Sequence, residues 1–92
     1  MGHTVKEKSK LLGRVHRIRG QIEALERALE EERGCAEVLQ QIAAVRGAIG
    51  GLMAEVIEDH VHVHVAAPTI RSDAERSRGA TELVEALRVY LR

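Results

Sequence analysis

The sequence predicts an all-α fold, one small domain of three helices, and three observations point to it. Apolar residues recur in alternating steps of four and three through two long stretches. The first carries Leu11, Val15, Ile18, Ile22, Leu25 and Leu29, the second Val38, Ile42, Val45, Ile49, Leu52 and Val56. That alternation is the period of a helix seam. The apolar supply is also of the bundle kind: 45% of the 92 residues are hydrophobic, yet there is no Phe, no Trp and one Tyr. Leu, Ile, Val and Ala must therefore make the core. Finally, breakers fall between the periodic stretches, at Gly34 and at Pro68.

The first helix is expected over about 5–32. Thr4 stands where an N-cap belongs and Glu7 follows three residues later, the capping-box pattern. Gly34 reads as the left-handed residue that ends this helix. The second helix is expected over about 35–65, from Cys35 to the cluster His60, His62 and His64, with Pro68 stopping it. A turn as short as Arg33-Gly34 makes the two helices an antiparallel hairpin. Ser72 or Asp73 can cap a third, shorter helix over about 74–91, amphipathic through Leu83, Val84, Leu87, Tyr90 and Leu91. Gly79 leaves the start of that helix open. The whole of 1–92 reads as one domain, small enough that oligomerisation is a common remedy for its limited core.

The second helix carries donor atoms at both ends. His60 and His64 are four apart and stack on one helical face. Cys35 lies roughly 37 Å away along the same helix, so it cannot share an ion with them within one chain. Two copies packed antiparallel would bring Cys35 of one to His60 and His64 of the other. The midpoint of such a crossing falls between Gly47 and Ala48, where Gly50 and Gly51 also cluster. Helix-interior glycines cost about 1 kcal/mol each against alanine, so three together suggest compensation by close packing. Counting outward from the hairpin turn brings His3 opposite His64, which adds a fourth candidate ligand. A thiolate with imidazoles suits Ni(II), Co(II), Zn(II) or Cu(I). His62 points elsewhere on an intact helix, as an accessory ligand or an ordinary surface histidine. A strand through His60–His64 would instead put all three histidines on one face.

Charge is balanced in sum, 14 against 14, but not in distribution. Residues 1–20 hold six Lys and Arg against Glu7, while 21–33 are acidic. Lys6, Lys10, Arg14 and Arg17 fall within about 80° on the first helix, flanking its seam. Arg46 stands in an apolar, Gly-rich stretch of the second. A cationic stripe beside an oligomer interface attracts phosphates, with salt-dependent affinity; the plainer reading is a solvated face. His16, within the basic segment, reads as exposed or near a phosphate. There is no Ser/His/Asp arrangement, no pair of carboxylates in an apolar frame and no cofactor loop, which argues against an enzyme. No apolar run reaches 18 residues and the first residues lack an apolar signal core, so a cytoplasmic protein without membrane association is expected. One cysteine makes no internal disulfide.

In "RVHRIRGQIEALERAL" and "VLQQIAAVRGAIGGLMAEVIEDH" the chain resembles the CsoR/RcnR family of copper-, nickel/cobalt- and formaldehyde-sensing repressors. The resemblance implies dimers of antiparallel hairpins pairing into a tetramer that binds operator DNA without effector and is released by it. Lys10 lies in the basic stripe, and Arg14, Arg17 and Arg46 match positions implicated in DNA contact. The set His3, Cys35, His60 and His64 looks like the nickel/cobalt branch, with backbone or water oxygen completing six-coordination. Copper sensors have a second Cys in place of His64, and formaldehyde sensors have Pro in place of Gly2 and Glu in place of His64. The expected protein is a Ni(II)/Co(II)-released repressor of a metal efflux gene, with Zn(II) also compatible with its donors. The alternatives are a formaldehyde- or copper-responsive repressor of the same fold, or a metal-binding helical protein that never touches DNA.

Overall fold

The protein, described over residues 5–90 by a computed structural model, consists of α1 (Val5–Glu30), α2 (Cys35–His64) and α3 (Asp73–Tyr90). α1 and α2 form the antiparallel hairpin, and α3 packs on the C-terminal half of α2. Among the described residues α1 and α3 do not touch.

The hairpin turn departs from expectation in one respect. Gly34 does not end α1; it has φ −57° and ψ 151° and serves as N-cap of α2. The left-handed residue is Glu32, with φ 54°. Its N–H donates to Leu29 O at 3.1 Å and the Arg33 N–H donates to Ala28 O at 3.0 Å. These two bonds make the paired closure typical of a helix C-terminus, with Glu32 where glycine usually stands. Arg33 braces the turn, with Nη1 donating to Glu37 Oε1 at 2.7 Å and Nε to Glu31 Oε2 at 3.0 Å. Those two carboxylates raise the Arg33 pKa. Because a left-handed non-glycine residue costs roughly 1–2 kcal/mol, Glu32→Gly is expected to stabilise the protein by about 0.5–1 kcal/mol in denaturant unfolding.

The two seams divide on contact. In α1, Ile18 and Ala28 are buried and Leu11 and Leu25 half-buried against α2, whereas Leu12, Val15, Ile22 and Leu29 are exposed. In α2, Val38, Val45 and Leu52 are half-buried, whereas Leu39, Ile42 and Ile49 are exposed. Each long helix thus covers one apolar stripe in the hairpin and leaves a second to solvent.

α3 starts earlier than its apolar pattern and runs unbroken through Gly79. Ser72 Oγ accepts the Glu75 N–H at 3.1 Å, as an N-cap does. Arg76 ties α3 to the connection from α2: its Nε donates to Val65 O at 2.9 Å and its Nη2 to Ile70 O at 3.4 Å. Gly79 is buried against the end of α2, and a Cβ there would overlap the His64 carbonyl.

The resulting shape is a thin slab, 57 × 30 × 13 Å. Its radius of gyration is 17.5 Å, against about 12 Å for a compact chain of this length. It exposes 7051 Å², where a folded monomer of about 10 kDa exposes roughly 5,300 Å².

Candidate metal centre and nucleic-acid interface

α2 is helical through His64, so the alternating-strand reading of His60–His64 does not apply. His60 and His64 stack with ring centroids 4.7 Å apart and planes tilted by 44°. Both are half-buried beside the α3 contact. His60 Nε2 lies 2.9 Å from the Gly79 carbonyl oxygen. A carbonyl only accepts, so Nε2 is the donor in this bond, and in a neutral ring the lone pair a metal needs is then on Nδ1. An orienting carbonyl on the far ring nitrogen is what metal-ligating histidines commonly have. His62 is exposed on another face, its Nε2 3.7 Å from Glu58 Oε1.

Cys35 is a free, exposed thiol at the first residue of α2, opposite the histidines. Among the described residues no three His, Cys, Asp or Glu side chains converge in a way that could hold an ion. One chain therefore brings together His60 and His64 and keeps Cys35 apart, while His3 lies outside the described residues. The donor set fits a divalent ion as half a site, which a thiolate from a second copy would extend. Gly47 and Gly50 have nothing within 4 Å of where a Cβ would stand. Nothing among the described residues of the single chain requires glycine at those two positions.

Of the basic residues, Lys10, Arg17 and Arg46 are exposed and Arg14 half-buried. His16 is exposed. Arg14 Nη2 donates to Glu55 Oε1 at 3.1 Å, and Lys10 Nζ lies 3.2 Å from the same oxygen. Burial pushes the Glu55 carboxyl up, but hydrogen bonds and charge from Arg14 and Lys10 outweigh it and hold the group below its ordinary value. With a depressed carboxyl, the sign is fixed: this contact contributes stability above the ordinary carboxylate range and loses it as pH falls through the lowered value. Sequence reasoning missed Glu55 and Gly79. For Gly79 the signal was Ser72 with Glu75 three residues on, which starts the helix early enough to carry a glycine in its interior.

The model for metal-sensitive transcriptional repressors matches residues 7–89. The transcriptional repressor RcnR of Salmonella paratyphi B is 41% identical over 92 residues, all of both chains. Among solved structures, a glutamate-to-histidine variant of the formaldehyde-responsive regulator FrmR from Salmonella enterica serovar Typhimurium is similar at TM-score 0.83 and 46% identity. That match covers 96% of this chain and 98% of the other. The nickel-responsive transcriptional regulator InrS is similar at TM-score 0.76 and 32% identity, covering 95% and 96%. The copper-sensing repressor CsoR of Geobacillus thermodenitrificans, with Cu(I), shares the fold at TM-score 0.84 and 23% identity, covering 100% and 94%. No described helix is long and apolar enough to cross a membrane. With three helices, His60 and His64 stacked at the end of α2 and this match over nearly its full length, the chain belongs to the CsoR/RcnR family of metal-sensitive transcriptional repressors, which are not enzymes.

Proposed function

We propose that the protein is a Ni(II)/Co(II)-responsive repressor of a metal efflux gene, working in the cytoplasm as a dimer of hairpin dimers on operator DNA. The observation that carries the metal reading is the His60–His64 pair, stacked on one face with His60 already oriented by the Gly79 carbonyl. The relatives support the effector: RcnR aligns end to end, and InrS is described as nickel-responsive. The uncovered stripes support assembly, since Val15, Ile22 and Leu29 on α1 and Ile42 and Ile49 on α2 await a partner surface.

In this reading Cys35 of one copy joins His60 and His64 of another, and His3, as ligands. A bound divalent ion supplies a cross-link between copies. The Gly79 carbonyl holds the His60 ring and ties the ligand to α3. Lys10, Arg14, Arg17 and Arg46 meet phosphates. By linkage, operator DNA weakens metal binding by the factor by which metal weakens DNA binding.

The test is to select duplexes from a random pool with metal-free protein and titrate the complex with Ni(II) and Co(II). Release at least about tenfold in affinity, within the usual range of such couplings, is expected. Absence of duplex binding, or tighter binding with metal, contradicts the proposal. A formaldehyde response is the second reading, favoured by the exposed Cys35 and the FrmR likeness. His60→Ala would then leave the response to formaldehyde intact.

A further inference from the structure

The face that would meet DNA contains its own acid. Lys10 and Arg14 are one turn apart on α1, and Gly51 and Glu55 are one turn apart on α2, facing them across the hairpin. Glu55 Oε1 takes both cations, at 3.2 and 3.1 Å. The Glu55 side chain is 16% exposed, so these cations rather than water are its main neighbours. Gly51 makes room for the arrangement: a Cβ there would stand 3.0 Å from Arg14 Nη1. Arg17 and Arg46, in contrast, have no ion pair among the described residues. Two of the four candidate phosphate contacts are thus paired to a protein carboxylate in the free protein.

We infer that Glu55 is an affinity-setting positioning residue: it holds Lys10 and Arg14 in place of a phosphate and must be displaced from them, or share them, when DNA binds. This rests on the reading of the basic stripe as the DNA face. A carboxylate and a phosphate oxygen compete for the same donors, and neither cation is spent on DNA without weakening its bond to Glu55. The consequence is a repressor whose grip on DNA is weaker, and less dependent on salt, than its count of lysines and arginines implies.

The experiment measures duplex affinity of metal-free protein against salt concentration, using a duplex selected by the wild type. Glu55→Gln keeps size and an acceptor oxygen while removing the charge. Freeing about one phosphate charge per engaged protomer should, for each such protomer, steepen the log–log salt slope by about 0.9 and tighten binding about fivefold near 0.15 M salt. Either way the variant loses some thermal stability, but a role limited to bracing the hairpin predicts weaker binding and an unchanged slope. That result overturns the inference. A second comparison needs no change at Glu55. Lys10→Gln, removing an already paired cation, should reduce the slope less than Arg17→Gln does, and equal reductions overturn the inference too. If wild type shows no duplex affinity, the DNA reading itself fails and this inference with it. Wild-type binding with an unaltered Glu55→Gln slope sinks the inference alone.

Discussion

Gly79→Ala is expected to destabilise the protein by about 2 kcal/mol, although glycine-to-alanine inside a helix ordinarily stabilises by about 1 kcal/mol. The added Cβ would overlap the His64 carbonyl oxygen and lie 2.8 Å from its carbon. Backbone cannot swing away as a side-chain tip does, so α3 must shift off the end of α2. That shift also removes the acceptor from His60 Nε2, and losing an orienting partner typically lowers metal affinity 10–100-fold. Thermal unfolding and a Co(II) titration read the two effects. Gly20→Ala serves as the reference: nothing lies within 4 Å of its Cβ position, and it should gain up to about 1 kcal/mol. A Gly79 variant as stable as the Gly20 variant would mean that α3 does not seat against His64 as described.

Cys35→Ala should separate sensing from DNA binding. Cys35 is exposed at the N-terminus of α2 and distant in sequence from the cations of α1, so affinity for DNA without metal should stay within about twofold, as for a surface change away from the contacts. Metal affinity should fall more than about 100-fold, since even outer partners of ligands are worth 10–100-fold. Fluorescence anisotropy of a labelled operator, titrated with Ni(II), reads both quantities. Retention of nickel-driven release would remove Cys35 from the ligand set.

Much of this was legible in the residues, for physical reasons that also mark where reading stopped. A four-three apolar spacing determines a helix, so both long helices and the stacking of His60 on His64 follow from spacing alone. The same spacing does not say which neighbour covers which half of a seam. Leu11 and Ile18 pack in the hairpin while Val15 and Ile22 do not, a division that depends on the crossing of two helices. Propensity misplaced the end of α1, because Gly34 is the natural left-handed residue and Glu32 took that conformation instead, in a turn that Arg33 braces through Glu31 and Glu37. The Glu55 contact was within reach. Counting outward from the turn sets residues 10–14 opposite 53–57, which puts Glu55 within reach of Lys10 and Arg14.

Subunit complementation tests most directly whether the proposed metal site lies between two copies. One chain carries Cys35→Ala; the other carries His60→Ala with His64→Ala. Neither alone can assemble thiolate and imidazoles at one site. After the two are unfolded together and refolded in equal amounts, random pairing makes half the dimers mixed, each with one complete site. A thiolate-to-cobalt charge-transfer band at about a quarter of the wild-type amplitude is therefore predicted, with none from either variant alone. A mixture that shows no band beyond the separate variants, while wild type shows one, would contradict a site shared between copies.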